Sequence, residues 1–181
     1  MMRRTAGRPL PTGRVHYLTA ASAAWIAGTA GVAYLAAFVN GATALIAAAT
    51  LVSYVFLYTP LKRRTSLNTL VGAIPGALPI VGGWTAAGGS LGIEAWILFW
   101  IMFLWQLPHF LALAWMYRED YERAGLRMLS VGDVDGRQTF QQAVLYALAL
   151  LPVSLTPAVV GIATNGAGRF VSALPRPMTS R

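Results

Sequence analysis

The 181-residue sequence contains no cysteine and few charged side chains. Without thiols, disulfide frameworks, thiolate metal sites and cysteine nucleophiles are all excluded. Charged residues make up only 11% of the chain, whereas 56% of its residues are hydrophobic and the mean hydropathy is +0.57. This composition is too apolar for a soluble core with a polar shell, so we predict an integral membrane protein.

The formal net charge of +8 does not indicate a nucleic-acid partner. The 14 basic residues fall between long apolar runs instead of forming a stripe on a soluble domain. We therefore interpret them as signals of membrane topology and expect no nucleic acid to bind.

Five apolar segments have close to the roughly 20 residues that a helix needs to cross a bilayer. They predict an all-α fold, a polytopic transmembrane helix bundle, within a domain that covers residues 1–163. The predicted spans are approximately 17–38, 42–59, 67–87, 93–116 and 140–163. The third span is rich in Gly and Pro, which lipid tolerates where neighbouring helices or a cavity satisfy the loosened backbone. Residues 164–181 are predicted to be a disordered or aberrant tail.

Basic residues lie before the first span and in alternate loops. They are Arg3, Arg4, Arg8 and Arg14, then Lys62, Arg63 and Arg64, then Arg118, Arg123, Arg127 and Arg137. The other two loops contain no Lys or Arg, so the positive-inside rule places the basic loops in the cytoplasm. We predict a multi-pass protein of the plasma or inner membrane with its polar motifs on the cytoplasmic face.

The basic loops and the acidic segment YREDYERAG could together bind a polyanion with a divalent metal ion. Arg and Lys bind phosphate oxygens, and carboxylates hold Mg²⁺, which bridges to the phosphates. The simpler explanation of the basic residues is topology or lipid-headgroup contact. Glu119, Asp120 and Glu122 are not needed for topology, although Glu119 and Arg123 would also form a favourable helical pair with nothing bound.

His109 lies within the fourth span, roughly 10 Å from its end at 1.5 Å per residue. Pro108 before it leaves the carbonyl of Leu104 without its helical donor. An imidazole at this depth could ligate a haem iron, move a proton or cap that carbonyl. Gln106 is expected to hydrogen-bond to another helix.

Two stretches carry a resemblance to a known family. The first is residues 58–84, YTPLKRRTSLNTLVGAIPGALPIVGGW, and the second is residues 105–129, WQLPHFLALAWMYREDYERAGLRML. Both stretches resemble the protohaem IX farnesyltransferases, or haem O synthases. These are intramembrane prenyltransferases related to 4-hydroxybenzoate polyprenyltransferase. The opening MRRTAGRPLPTGR is similar to the segment that follows the family's first aspartate motif. The Trp-Gln-x-Pro-His-Phe and Tyr-x-x-Asp-Tyr-x-x-Ala-Gly-x-x-Met-Leu patterns are particular to the haem branch.

The resemblance implies a bundle of nine spans in complete members, which binds farnesyl diphosphate through Mg²⁺. The farnesyl group is transferred to a vinyl group of haem B, giving haem O and diphosphate. Haem A synthase and terminal-oxidase assembly are implied as partners. The implied residues are Asp120 with Glu119 for the metal ion, Lys62 and Arg63 for the diphosphate, and Arg4, Arg8, Asn68, Tyr117 and Tyr121 for substrate binding. We add His109 on the haem side because of its depth and chemistry.

This sequence departs from the family's pattern at both ends. Complete members have two spans and an Asn-x-x-x-Asp-x-x-x-Asp motif before the Arg-Pro-Leu-Pro segment, and further spans after the fifth span here. We therefore expect a fragment with little or no activity alone. A prenyltransferase acting on a quinone precursor and a non-enzymatic membrane haem-binding protein are the alternative interpretations.

Overall fold

The computed structural model describes residues 5–161, and these residues form helices joined by short loops. From the N-terminus the helices are α1 (Tyr17–Phe38), α2 (Gly41–Val52), α3 (Thr59–Leu61), α4 (Asn68–Ala86), α5 (Ile93–Met116), α6 (Arg118–Arg123), α7 (Leu129–Gly132) and α8 (Arg137–Val159), with a π-helical segment (Ser53–Tyr58) between α2 and α3.

Five helical stretches are long and apolar enough to cross a membrane. Four of them are the single helices α1, α4, α5 and α8, and the fifth is the continuous stretch Gly41–Leu61, which contains α2, the π-helical segment and α3. The predicted all-α, multi-span fold is therefore confirmed. The predicted tail, residues 164–181, and the end of the predicted fifth span lie outside the described residues.

The core lies between α4 and α5, and α2 packs on α4. Small residues on α4, including Ala73 and Ala77, meet large side chains on α5, including Phe103 and Leu107. The side-chain nitrogen of Gln106 donates a 2.8 Å hydrogen bond to the carbonyl of Ala73. The expected contact of Gln106 with another helix is confirmed. In this apolar setting it fixes the register of the two helices.

The Asn40-Gly41 turn between α1 and α2 is anchored to the far end of α4. Asn40 accepts a 2.8 Å hydrogen bond from the backbone N–H of Thr43, as an N-cap does, and donates one of 2.9 Å to the carbonyl of Thr85. The hydroxyls of Thr43 and Thr85 are 2.8 Å apart. These contacts fasten the end of the bundle opposite the basic loop that follows α3.

The fifth spanning helix, α8, begins at Arg137, earlier than the predicted residue 140. Its first turn is fixed by two carboxylates of the preceding loop. Asp133 accepts a 2.7 Å hydrogen bond from the backbone N–H of Thr139, and Asp135 accepts a 3.2 Å hydrogen bond from the backbone N–H of Arg137. Hydropathy detects only the lipid-buried part of a helix, so this polar first turn was missed.

Candidate functional site

Lys62 lies directly after α3, at the start of the basic loop. Its ammonium group is 4.2 Å from the ring centre of Tyr58 and 5.6 Å from that of Tyr54. Aromatic ring faces attract cations, so the two tyrosines hold the Lys62 ammonium group at this end of the bundle. Lys62 is half-buried, whereas the neighbouring Arg63 is exposed.

The π-helical segment places the two tyrosines beneath Lys62. Pro60 has no N–H and its ring would clash with the carbonyl of Phe56 in a regular helix, so the turn before it widens. The hydroxyl of Thr59 donates to the carbonyl of Tyr54 at 2.9 Å. The Tyr58 ring then packs directly on Gly72 of α4, where a Cβ atom would overlap it.

Burial lowers the pKa of the Lys62 ammonium group below its ordinary value of 10.5. A desolvated cation is costly without a counter-ion. An anion that binds at Lys62 would offset this cost, which is a property expected of a phosphate-binding lysine.

Glu119 and Asp120, two of the three carboxylates of α6, line a cleft of about 360 Å³ at the end of α5. The Asp120 side chain is largely buried and lies 3.7 Å from the guanidinium of Arg123, and the exposed Glu119 is 3.4 Å from the same group. The expected Glu119–Arg123 pair is present. The cleft is lined by Trp115, Met116, Tyr117, Arg118, Glu119, Asp120 and Arg123.

The basic loop and the segment after α6 are hydrogen-bonded to each other. The backbone N–H of Arg127 donates to the carbonyl of Lys62 at 2.9 Å. The side-chain nitrogen of Asn68, at the start of α4, donates to the carbonyls of Arg127 and Thr65, each at 2.6 Å. Two segments that are far apart in sequence therefore meet at one end of the bundle.

The carboxylates fit the demands of Mg²⁺ in a diphosphate complex. Among residues 5–161, no three His, Asp or Glu side chains converge to hold an ion alone. Mg²⁺ keeps several waters and is bound through one or two carboxylates plus substrate phosphates, rather than by an all-protein cage. Asp120 and Glu119, which line the cleft, are two carboxylates, the number that such a complex would need.

His109 lies on the outer face of α5, away from the buried side of the helix. Its imidazole stacks on the indole of Trp105, with ring centres 5.5 Å apart and planes 13° apart. Both side chains are exposed on the bundle surface, whereas Gln106 and Leu107 between them are buried. The structure thus separates His109 from the loop end of the bundle and presents it on an aromatic surface.

The remaining predicted residues have different positions. Arg8 is exposed in the segment before α1, and Arg4 lies outside the described residues. Asn68 is fully buried, and both hydrogens of its amide are used in the contacts described above. Tyr121 is partly buried on α6, close enough to Tyr58 to interact with it electrostatically.

Three residues around this site were not identified from the sequence. Tyr54 and Tyr58 precede Lys62 with a helical spacing of four, but their position within an apolar span made them resemble ordinary interface aromatics. Arg127 acts through its backbone, which no side-chain pattern can reveal.

Fold and site together define a polytopic α-helical membrane protein that gathers a half-buried lysine and a carboxylate cleft at one end. The model of the UbiA prenyltransferase family matches residues 1–175, and the chain belongs to this family.

Relatives of the chain have a consistent name. It is 55% identical to "Protoheme IX farnesyltransferase" of Solibacter usitatus over 89% of this chain and 55% of the relative. It is 47% identical to the protein of that name from Koribacter versatilis, over 96% of this chain and 55% of the relative. It is 49% identical to the protein of that name from Salinibacter ruber, over 92% of this chain and 58% of the relative. The chain thus spans about half the length of these curated relatives. No solved structure shows a significant match.

Proposed function

We propose that the chain serves in the transfer of a farnesyl group from farnesyl diphosphate to a vinyl group of haem B, giving haem O and diphosphate. The observation that carries the proposal is the hydrogen-bonded junction between the Lys62 loop and the segment following the Asp120 helix. It brings cationic and anionic groups to one end of a membrane bundle. The names of the relatives support the haem acceptor.

The reaction requires charge stabilisation at the leaving group. The C–O bond of the allylic diphosphate breaks and its electron pair leaves with the diphosphate. Lys62 and Arg63 stabilise this developing negative charge, most strongly in the transition state. Mg²⁺, when bound, would neutralise phosphate oxygens, and Asp120 with Glu119 would hold it. Tyr117, which lines the cleft, and Tyr121 on α6 would contact the substrate.

The haem acceptor provides the electrons for the new carbon–carbon bond. The π electrons of the haem vinyl group form a C–C bond with the farnesyl carbon, and water adds to the adjacent cationic carbon with loss of a proton. Exclusion of water by the surrounding membrane would protect the allylic cation until this attack. His109 and Trp105 provide an aromatic surface with an imidazole for the haem.

We further propose that the basic loops face the cytoplasm and that the protein belongs to the plasma or inner membrane. Arg63, Arg64 and Arg118 lie on the loop side of the bundle, as the positive-inside rule requires of cytoplasmic loops. Haem A synthase or terminal-oxidase assembly would then take up the product.

Haem titration with and without farnesyl diphosphate and Mg²⁺ tests the proposed acceptor. We expect the purified chain in bilayer discs to shift the haem B absorption spectrum, and His109→Ala to weaken haem binding. His16→Ala is the matched control, because His16 is the other of the two histidines and caps α1 outside the span. Products are analysed by mass spectrometry with haem B or 4-hydroxybenzoate as acceptor.

The outcomes separate the proposal from its alternatives. Haem binding that responds to farnesyl diphosphate supports it. Formation of haem O also supports it, and would contradict the expectation that this chain alone has little or no activity. Prenylation of 4-hydroxybenzoate alone would contradict it in favour of a quinone-precursor enzyme. Haem binding that ignores farnesyl diphosphate would contradict it in favour of a non-enzymatic haem protein.

A further inference from the structure

Asn68 lies at the junction between the two charged segments of the site but has no open face toward a ligand. Its side chain is fully buried, and its amide nitrogen donates 2.6 Å hydrogen bonds to the carbonyls of Thr65 and Arg127. Both amide hydrogens are therefore committed to the backbone. An anion such as diphosphate needs donors, and Asn68 has none left to offer.

The same junction contains two further hydrogen bonds that involve Arg127. Its N–H donates to the carbonyl of Lys62 at 2.9 Å, and its guanidinium donates to the carbonyl of Arg64 at 3.4 Å. The backbone of Arg127 is thus held on both sides, by Lys62 at its N–H and by Asn68 at its carbonyl. We call these contacts among Lys62, Thr65, Asn68 and Arg127 the Asn68 clasp.

The chain geometry around the clasp links it to the carboxylates. Helix α6, which carries Asp120, ends at Arg123, and Gly125, just beyond the C-cap Ala124, has a left-handed conformation with φ of 66°. The N–H of Leu126 donates to the carbonyl of Tyr121 at 3.0 Å, so the turn is tied back to the helix. Arg127 follows this turn directly. Fixing Arg127 therefore fixes the position of α6 relative to the Lys62 loop.

We propose that Asn68 is a positioning residue that holds the Lys62 loop and the Asp120 helix in register before any ligand binds. This proposal rests on the proposed diphosphate site, whose two halves the clasp would pre-organise. It assigns Asn68 a role different from the substrate contact that the family resemblance implied. The Asn68 oxygen is buried without a hydrogen-bond partner among the described residues, so the two donor bonds must outweigh that cost.

Asn68→Asp is the most discriminating substitution. It preserves the shape of the side chain but replaces the donating nitrogen with an oxygen that faces two carbonyl oxygens. Thr69→Val is the matched control, because Thr69 is the next residue on α4, is also buried, and its hydroxyl has no partner among the described residues. Arg127→Ala is a second control that retains both backbone hydrogen bonds.

The distance between the two segments is the direct readout. The chain has no native cysteine, so spin labels at Ser66→Cys and Glu122→Cys report only the loop and α6. Double electron–electron resonance on the unliganded chain in bilayer discs should give a narrow distribution for the parent protein, Thr69→Val and Arg127→Ala. Asn68→Asp should broaden the distribution of distances between the two labels about twofold or more, since two buried hydrogen bonds are lost.

Binding of magnesium with inorganic diphosphate is measured on the same samples. We expect Asn68→Asp to weaken this binding at least about threefold, and saturating ligand to narrow the distribution again. Should Asn68→Asp fail to fold, Asn68→Ser keeps one donor and should give an intermediate width.

An unchanged, narrow distribution in the unliganded Asn68 variants would overturn the clasp. If binding were nevertheless lost, Asn68 would be a substrate contact. The distance result does not depend on ligand binding. A parent protein that binds no diphosphate would therefore contradict the proposed function while leaving the clasp to be decided by the unliganded distances.

Discussion

Burial and charge oppose each other at Lys62. The ammonium group is half-buried over two tyrosine rings, and burial lowers its pKa. Since bound diphosphate favours the charged form, affinity should fall as the pH rises through the lowered pKa of Lys62. Lys62→Arg should move this loss to higher pH, because guanidinium stays protonated. Calorimetric titration of diphosphate across pH measures both profiles, and identical profiles would contradict this role.

The pH dependence of the free energy of unfolding provides an independent test of the buried charge on Lys62. Below its lowered pKa the folded chain carries the full cost of the buried charge. Between that pKa and 10.5, the unfolded chain binds more protons than the folded one. The free energy of unfolding should therefore rise with pH in this window. Lys62→Met should remove that rise in denaturant titrations of the unliganded protein.

At the scale of single residues, the sequence predicts candidate ligands from the chemistry of their side chains but does not predict where the fold places them. Lys62, Asp120 and Glu119 could be selected because charges near membrane spans are conspicuous and few. The burial of Asn68 could not be foreseen, since its partner Arg127 is 59 residues away and contributes only a backbone carbonyl. Hydrogen bonds to backbone groups have no side-chain signature.

Close packing between α4 and α5 is concentrated at Gly76. A Cβ atom there would overlap the side-chain oxygen of Gln106, whereas a Cβ atom at Gly83 on the same helix would meet nothing. Gly76→Ala should destabilise the fold by about 1–3 kcal/mol through overpacking. Gly83→Ala should be neutral or stabilising by up to about 1 kcal/mol. Unfolding in mixed detergent micelles compares the two, and equal effects would refute the packing argument.

The hydrogen bond of Gln106 joins the same pair of helices. Gln106→Leu should destabilise the fold by about 0.6–1.7 kcal/mol, the range for side-chain hydrogen bonds within membranes. Gln141→Leu is the matched control, because Gln141 is exposed on α8. If both variants unfold alike in the same assay, the contact with Ala73 contributes no stability.

Helix positions could largely be predicted from hydropathy, because the thickness of a bilayer fixes the length of a span. The bounds of α1 and α5 are those expected. Hydropathy cannot reveal the π-helical segment Ser53–Tyr58 or the polar first turn of α8. The first depends on the geometry of Pro60, and the second on capping by Asp133.

For the molecule as a whole, orientation in the membrane is the main prediction. Ser66 lies in the basic loop and Ser90 in the loop at the opposite end of the bundle. In the cysteine-free chain, Ser66→Cys should react with a membrane-impermeant thiol reagent only in inside-out vesicles, and Ser90→Cys only in right-side-out vesicles. The reverse pattern would place the proposed site on the external face.

The central claim is that the Lys62 loop and the Asp120 helix bind one diphosphate together. A double-mutant cycle tests it most directly, with equilibrium binding of diphosphate measured for the parent chain, Lys62→Ala, Asp120→Asn and the double variant, with and without Mg²⁺. We predict Mg²⁺-dependent binding, a loss of about tenfold or more in each single variant, and a coupling energy of about 0.5–3 kcal/mol. Strictly additive losses, or binding that ignores Mg²⁺, would contradict the account.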